Sequence, residues 1–216
     1  MSLKLYMHPL SSYCHKALIA LYENGTAFEP ILVDLSNEAQ RNDFKKVWPI
    51  GKFPVLRDDA RKHTVPESTI IIEYLSQYYP GKTRLIPADP ELAWQTRLQD
   101  RFFDLHLHTA MQKIVGDKLR PEGQKDLAGV EQARAQIHVA YDMIDREIAG
   151  KTWIMGEQFT MGDCAAAPAL YYSNLLIPLE RSHKEAANYL ARLVARPSYA
   201  RALKEAEPYF AMFPGG

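Results

Sequence analysis

The pattern of the chain changes at Pro80-Gly81, and this change limits the folds available to it. Before this point, runs of strand length alternate with segments of helical spacing, whereas every periodic segment after it is helical. Residues 80–90 are rich in proline and have no period of their own, which is typical of a linker. The sequence therefore predicts an α/β domain over residues 1–79 and an all-helical domain over residues 91–216.

The predicted elements of the first domain follow the order β-α-β-α-β-β-α. Its strands are predicted at Leu3–Met7, Phe28–Val33, Pro54–Leu56 and Lys62–Val65. Its helices are predicted at Ser12–Tyr22, Glu38–Val47 and Glu67–Tyr78. The dipeptide Asn24-Gly25 is the stop signal of the first helix. This order is typical of a thioredoxin-like domain, in which helices cover a mixed sheet.

The second domain is predicted to be a bundle of helices. They are predicted from Glu91 to about Lys118, over Glu131–Ile148 and after Pro197. A capping box marks one further helix start, with Thr160 as the N-cap residue and Asp163 as its partner three positions on. This structural role explains Asp163 better than a catalytic role does.

Composition argues against several classes of function. The chain has 26 basic and 26 acidic residues, so its net charge gives no reason to expect a nucleic-acid or anionic-membrane partner. No apolar stretch approaches the ~18 residues of a membrane span, and the N-terminus lacks the apolar core of a signal peptide. Cys14 and Cys164 lack the spacing of a disulfide framework or a metal site. We therefore expect a reduced, cytoplasmic protein without a metal.

Two neighbouring segments indicate a binding site. They are Gly51-Lys52-Phe53-Pro54-Val55-Leu56 and Pro66-Glu67-Ser68-Thr69-Ile70-Ile71-Ile72-Glu73-Tyr74-Leu75. The second segment leads into a helix, whose N-terminus offers free N–H groups to an anion. Ser68 adds a hydroxyl donor there, and Glu67 can take an ammonium group. Taken singly, these residues also suit an ordinary helix cap, but together they favour a site for the two charges of a free α-amino acid.

These segments resemble the glutathione-binding half of cytosolic glutathione transferases, and the resemblance runs over essentially the whole chain. It implies a cis peptide bond before Pro54, with the backbone of Val55 pairing with the cysteinyl part of glutathione. It also implies that Glu67 and Ser68 hold the γ-glutamyl end. Lys52 is a weaker candidate to bind the glycyl carboxylate. The expected glutathione-binding residues are therefore Lys52, Phe53, Val55, Glu67 and Ser68.

The turn from the first strand into the first helix is the expected place of the chemistry. A thiol with a pKa of ~8.5 is only a few per cent ionised at neutral pH, so the protein must stabilise the thiolate. A hydroxyl at a helix start can donate to the sulfur, and the helix dipole adds to its effect. Ser11 matches the catalytic serine or cysteine of the theta, tau, zeta and omega classes. Ser12 is the alternative, because a shift of one residue exchanges the two.

The residues after Ser12 depart from related patterns. Tyr13 stands where the zeta class has a cysteine, and Cys14 stands three residues after Ser11. The pair of Ser11 and Cys14 therefore resembles a C-x-x-C motif whose first thiol has become a hydroxyl. Because Ser11 cannot form a mixed disulfide, a transferase is favoured over a thiol reductase that uses Cys14. Without the two downstream segments, ordinary helix capping and a buried cysteine would be the better explanation of these residues.

The pocket for a second substrate is expected between the two domains. The resemblance implies that Leu10 and Tyr13, after the first strand, form one side of it. The first helix of the second domain forms the other side, with His106 and Met111 as candidates. His106 and His108 are two positions apart and face different sides of a helix, which argues against a helix-borne metal pair.

The sequence is identified as a serine-type, bacterial-looking member of the cytosolic glutathione transferase superfamily. The implied enzyme binds glutathione as a co-substrate, ionises its thiol and directs the thiolate at a hydrophobic electrophilic small molecule. No further cofactor is expected, and the resemblance implies a homodimer. The alternatives are a glutathione-dependent thiol reductase and a non-catalytic interaction module with the same fold. Such modules tend to lose the Glu-Ser pair or the catalytic serine, and this chain keeps both.

Overall fold

The protein consists of a small mixed sheet with helices, followed by a bundle of helices. A computed structural model describes residues 2–179 and 182–214. The first part contains β1 (Leu3–Met7), α1 (Ser12–Glu23), β2 (Glu29–Leu32), α2 (Glu38–Val47), β3 (Val55–Asp58), β4 (His63–Pro66) and α3 (Ser68–Tyr78). The second part contains α4 (Pro90–Phe102), α5 (Thr109–Lys118), α6 (Leu127–Ile148), α7 (Met161–Leu176), α8 (Lys184–Ala195) and α9 (Pro197–Ala206). This order confirms the predicted thioredoxin-like domain followed by an all-helical one.

The four strands form one mixed sheet in the order β2-β1-β3-β4. β2 is parallel to β1, whereas β3 is antiparallel to both of its neighbours. Leu3, Leu5 and Met7 of β1 are buried in the core that includes α1 and α3. Tyr6 points to the opposite face, where it stacks on Phe44 of α2. Because side chains alternate along a strand, one strand supplies both helical layers with apolar contacts.

Strand β3 begins directly after a proline. The Phe53–Pro54 peptide bond is cis, as the sequence resemblance implied. Val55 then pairs with Tyr6 of β1 on one side and with Pro66 of β4 on the other. A sheet tolerates proline, which has no N–H to donate, at the start of a strand. The chain thus enters the centre of the sheet at Val55, and Phe53 stays at the end of the sheet.

Helix α3 follows β4 after a single connecting residue. β4 ends at Pro66 and α3 begins at Ser68. Glu67, between them, has a φ of 69°, a left-handed conformation that is uncommon for a residue other than glycine. Because Pro66 pairs with Val55, this turn brings the first residues of α3 to the end of the sheet where β3 starts.

The long helix at the start of the second domain contains one wider turn. α4 passes into a π-helical segment, Phe103–His108, which continues into α5. Asp104 and His108 of this segment are buried and contact residues of α1. Leu105 and His106 are exposed. Such wider turns occur frequently at functional sites, and this one lies where the second domain meets the first.

Helix α7 is the central element of the second domain. Most of its residues are buried, and Ala165, Ala166 and Ala169 keep its surface narrow so that neighbouring helices approach closely. Helix α1 of the first domain packs directly on α7, and one apolar core runs through both domains. None of the helices within residues 2–179 and 182–214 has the length and apolar character needed to cross a membrane.

The predicted capping box at the start of α7 is present. The carboxylate of Asp163 accepts the N–H of Thr160 at 2.8 Å and the N–H of Ile154 at 2.9 Å. The Tyr189 hydroxyl of α8 donates to the same carboxylate at 2.6 Å. Burial raises the pKa of Asp163, so these donors are needed to keep the carboxylate stable inside the protein. One side chain thus joins α7, α8 and the preceding loop.

We predict that Asp163→Ala lowers the free energy of unfolding by about 3 kcal/mol or more, because it removes a cap and leaves buried donors without an acceptor. Urea denaturation measures this change. Asp43→Ala, on the exposed face of α2, is the matched control and should cost less than about 0.5 kcal/mol. A loss at Asp163 no larger than that of the control would contradict the structural role.

Candidate functional site

A cleft of about 470 Å³ lies where the start of α3, the end of the sheet and the π-helical segment meet. The residues that line it are Tyr13, Lys52, Phe53, Pro54, Glu67, Ser68, Thr69, Ile70, Arg101, Asp104 and Leu105. The cleft combines charged groups of both signs with aromatic and apolar surface. It therefore suits a small ligand that carries both a cation and an anion.

The start of α3 supplies free polar groups to this cleft. The first intrahelical bond there is donated by Ile71 to the carbonyl of Glu67, so the N–H groups of Ser68 and Thr69 are available to a ligand. The Ser68 hydroxyl and the Glu67 carboxylate form no hydrogen bond or ion pair with any residue in the described part of the chain. Donors for an anion and an acceptor for a cation thus stand side by side.

The cis-proline segment supplies the opposite wall. Phe53 lines the cleft, and its N–H and C=O form no hydrogen bond within the described ranges. Val55, by contrast, is fully buried inside the sheet and paired on both sides. The expected pairing of a ligand with the Val55 backbone is therefore wrong. The backbone groups that a peptide-like ligand can reach belong to Phe53, the residue before the cis proline.

Lys52 lies at the rim of the same cleft. Its side chain is exposed, and its ammonium group forms no ion pair with the residues that the structure describes. The structure thus brings together Lys52, Phe53, Glu67 and Ser68 of the expected set. The spacing of these residues in the sequence does not show that they lie in one cleft. The two segments are brought together by the pairing of β3 with β4.

A buried charge cluster lies behind the cleft. Lys16 of α1 is fully buried, and its Nζ lies 2.6 Å from Asp100 Oδ1 and 2.7 Å from Asp104 Oδ2. Lys16 Nζ also donates to the Thr69 hydroxyl at 2.8 Å, and this hydroxyl donates to Asp100 Oδ2 at 2.8 Å. Arg101 contacts both aspartates. Two cations and two anions therefore neutralise each other, as buried charges require.

Part of this cluster reaches the cleft. Arg101, half-exposed, and Asp104 both line it next to Ser68. The sequence analysis missed these residues. Asp100 and Asp104 are four positions apart on one helix face, and Lys16 stands among apolar residues of α1. This pattern is the only signal of the charge cluster in the sequence, and it does not show that Lys16 meets the two aspartates.

Ser11 is the N-cap residue of α1. Its Oγ accepts the N–H of Cys14 at 3.4 Å, which leaves the hydroxyl hydrogen free to donate. Ser11 is partly exposed and is not itself part of the cleft wall, which Tyr13 reaches two positions later. Ser11 thus combines a free donor with the positive end of a helix dipole.

Ser12 has a different environment. It is buried, and its Oγ lies 2.6 Å from Nε2 of His108 and accepts the side-chain amide of Gln112 at 3.1 Å. Both of these residues belong to the second domain, so Ser12 joins the domains and has no free donor toward the cleft. The structure therefore favours Ser11 over Ser12 as the hydroxyl available to a ligand.

Tyr13 lies between the cleft and the domain interface. Its ring stacks on His108, with the ring centres 3.8 Å apart and an angle of 11° between the planes. Burial raises the pKa of Tyr13 to about 12, so its hydroxyl stays protonated at neutral pH. Tyr13 can therefore offer a ligand an aromatic edge and a neutral hydroxyl.

The two cysteines are both buried and free. Burial raises the pKa of the Cys14 thiol to about 12, although the Ser11 hydroxyl nearby opposes this shift. Because a thiol needs to ionise before it acts as a nucleophile, Cys14 is poorly suited to attack a disulfide. Within the described ranges, no group of three His, Cys, Asp or Glu side chains is arranged to hold a metal ion.

The residues expected to hold a second substrate are only partly at the cleft. Tyr13 lines it, whereas Met111 is buried in the core and Leu10 is packed against that core. His106 is exposed, and its carbonyl accepts the Gln136 side chain of α6. Met111 has almost no exposed surface, so it is not available to a ligand in this structure. His106 is outside the cleft lining, and its part in a second-substrate pocket stays a prediction.

Comparisons with known proteins agree with this geometry. Family models described as "Glutathione S-transferase, N-terminal domain" and "Glutathione S-transferase, C-terminal domain" match residues 5–83 and 128–201. Glutathione S-transferase 3 of Zea mays is 30% identical over 209 residues, which cover 92% of each chain. A stringent starvation protein A homolog of Coxiella burnetii is 28% identical over 206 residues, covering 94% of this chain and 92% of that protein.

A solved structure shares the whole fold. The glutathione S-transferase of Methylobacillus flagellatus, solved with glutathione bound, superimposes with a TM-score of 0.82 at 25% sequence identity. The superposition covers 93% of this chain and 98% of that one. The fold of both domains therefore has a counterpart in a protein that was solved with glutathione bound.

Proposed function

The chain belongs to the glutathione S-transferase superfamily, and from this premise we propose that it binds glutathione in the cleft and stabilises the thiolate of the bound molecule. The thiolate then forms a carbon–sulfur bond to an electrophilic carbon of a hydrophobic small molecule, and the group displaced from that carbon leaves with the electron pair of its bond. One observation carries the proposal: the free Glu67 carboxylate and Ser68 hydroxyl lie next to free N–H groups at the start of α3, across from the free backbone of Phe53.

The proposed pose of glutathione follows from matching its groups to these partners. The γ-glutamyl carboxylate accepts hydrogen bonds from Ser68 and the first N–H groups of α3, and the γ-glutamyl ammonium lies near Glu67. The cysteinyl part pairs with the backbone of Phe53, in the manner of a peptide strand added to a sheet end. The glycyl carboxylate lies near the Lys52 ammonium. Each charge of the ligand then has an opposite charge or a donor.

The proposed role of Ser11 is to donate its hydroxyl hydrogen to the glutathione sulfur. Its Oγ is held by the Cys14 N–H, so the direction of the O–H bond remains free to adjust to the ligand. A hydrogen bond to the charged form lowers the pKa of the thiol, and the dipole of α1 favours the same negative charge. No metal or further cofactor takes part in this proposal.

Two other functions receive less support. A thiol reductase would have to use Cys14, but this thiol is buried and its pKa is raised to about 12. A non-catalytic interaction module is suggested by the similarity to stringent starvation protein A homologs. Against it, the chain keeps Ser11, Glu67 and Ser68 in the positions that glutathione chemistry requires. A cytoplasmic location is part of the proposal, since two free thiols suit a reducing compartment.

We predict that Ser68→Ala raises the dissociation constant of glutathione by about 5- to 30-fold. The physical reason is the loss of a charge-assisted hydrogen bond worth about 1–2 kcal/mol. Isothermal titration calorimetry measures this change. Ser76→Ala, farther along α3 and outside the cleft, is the matched control and should leave the affinity unchanged. Equal affinities for the wild type and Ser68→Ala would remove Ser68 from the site.

Ser11→Ala should lower turnover at neutral pH by about one to two orders of magnitude while leaving the affinity for glutathione nearly intact. A hydrogen bond to a charged group is worth about 1.5–3 kcal/mol, and Ser11 touches only the sulfur in this proposal. The loss should shrink as the pH rises, because the thiol then ionises without help. A conjugation assay with an activated aryl halide, run at several pH values, measures both effects.

Two further variants separate the roles that Ser11 combines. Ser11→Gly removes the hydroxyl at a cost of only a few tenths of a kcal/mol in helix capping, so it should lose turnover without losing stability. Ser11→Thr keeps the hydroxyl and should retain activity. If Cys14→Ala abolishes activity while Ser11→Gly does not, the reductase function replaces the transferase.

We also propose a homodimer formed through the outer faces of α4 and α6. Trp94, Leu98 and Met143 are 50%, 56% and 45% exposed, which is unusual for large apolar side chains that lie close together. Leu98 and Met143 border a mostly apolar cavity of about 270 Å³, into which Phe102 also reaches. A C₂ dimer would cover this surface with the same surface of a second copy.

Light scattering should therefore give twice the chain mass of 24.6 kDa. Leu98→Glu should shift the protein toward the monomer, because it places a charge in an apolar contact. Leu119→Glu changes an exposed leucine outside this surface and should leave the mass unchanged. A wild-type mass of a single chain at micromolar concentration would rule out the dimer.

A further inference from the structure

The loop that leads to Ser11 is fixed by two buried side chains from different parts of the fold. His15 lies on α1, and Tyr172 lies on α7 in the second domain. We infer that His15 and Tyr172 are positioning residues for Ser11, holding the two carbonyl groups that precede it. This inference rests on the proposed role of Ser11 and assigns the residues that orient it.

Two N–H groups of this loop have their partners within the loop. Ser11 donates its N–H to the carbonyl of His8 at 2.9 Å, and Leu10 donates its N–H to Nδ1 of the His8 ring at 3.2 Å. Pro9, between them, has no N–H to donate. The turn from β1 to α1 is thus tied to its own first residue, His8, whereas the carbonyls of Pro9 and Leu10 take partners from α1 and α7.

The two side chains satisfy these carbonyls. Nε2 of His15 lies 2.6 Å from the Pro9 carbonyl, and the Tyr172 hydroxyl donates to the Leu10 carbonyl at 3.1 Å. A carbonyl can only accept, so the proton of the His15 ring is on Nε2. His15 is fully buried, and burial lowers its pKa to about 4, so the ring remains neutral near pH 7.

Both side chains are themselves held in place. The rings of His15 and Tyr172 pack against each other with their centres 5.6 Å apart. The ring of Phe213, near the end of the described chain, also packs against Tyr172, with the ring centres 5.3 Å apart. Because both side chains are buried, the packing of α1 on α7 sets where they hold the loop.

This arrangement affects Ser11 through its geometry. The Ser11 Oγ is fixed relative to α1 by the Cys14 N–H, but its direction toward a ligand also depends on the backbone before it. A hydrogen bond weakens steeply when its distance or angle departs from the optimum. Releasing one of the preceding carbonyls therefore weakens the donation to the thiolate without touching the groups that bind the rest of the ligand.

The test uses Tyr172→Phe, which removes one hydroxyl and keeps the ring. Turnover at neutral pH should fall about three- to tenfold, the effect of one ordinary hydrogen bond, while the KM for glutathione stays within about twofold. The pKa of the bound thiol, followed by its ultraviolet absorbance, should rise. Tyr171→Phe is the matched control, because its hydroxyl has no hydrogen-bond partner among the described residues. That variant should behave like the wild type.

A double-mutant cycle shows whether Tyr172 acts through Ser11. In the Ser11→Ala background, adding Tyr172→Phe should change turnover by less than about twofold, because the group that it positions is already absent. The same relative loss in both backgrounds would overturn the inference, as would full activity of Tyr172→Phe alone. If Ser11→Ala itself keeps full turnover, the proposed role of Ser11 fails first and this inference fails with it.

His15 provides an independent arm of the same test. His15→Gln keeps an N–H donor near the position of Nε2 and should retain most of the turnover. His15→Leu removes the donor and should lose turnover to a similar extent as Tyr172→Phe, with the same rise in the thiol pKa. Equal activity of the Gln and Leu variants would show that His15 does not position Ser11. The role of Tyr172 would then depend on the double-mutant cycle with Ser11 alone.

Discussion

The arrangement of the cleft depends on the burial of one positive charge. Lys16 on α1 has no access to solvent, so its ammonium needs anionic partners within bonding distance, and Asp100 and Asp104 supply them from the second domain. Thr69 on α3 joins the same cluster. The cluster therefore fixes α1, α3 and the first helix of the second domain relative to each other. It lies directly behind the start of α3 and the cleft wall that carries Arg101.

The same junction separates binding from chemistry. The free groups that suit the charged end of glutathione belong to α3 and to the segment before β3, and they depend on the pairing of β3 with β4. Ser11 belongs to a different loop, whose carbonyls are held by His15 and by Tyr172 of the second domain. In the proposed function, affinity and thiol activation therefore depend on different parts of the structure. The packing of α1 on α7 connects the second domain to the loop before Ser11, while Arg101, Asp104 and Leu105 of the same domain line the cleft itself.

Much of the site could be predicted from short motifs. Glu67 and Ser68 at a helix start, and Ser11 at the turn into α1, follow from local rules on caps and free N–H groups, and the structure places the first two in one cleft. The expected backbone partner, Val55, lies two residues after Phe53, because the pattern does not tell which side of the cis proline enters the sheet. Met111 is buried in the core, which its position in the sequence alone did not reveal.

The sequence by itself determined the order of the elements, the division into an α/β and a helical part, the capping box at Asp163 and the acid-hydroxyl pair at α3. These features depend on the spacing of apolar residues along the chain and on interactions between residues a few positions apart. Only the tertiary structure decided that Lys16 meets Asp100 and Asp104, that Ser12 is held by His108 and so is not free for a ligand, and that Tyr172 reaches the loop before Ser11. Such pairings join residues far apart in the chain, and their partners are selected by the packing of whole helices, which no local pattern records.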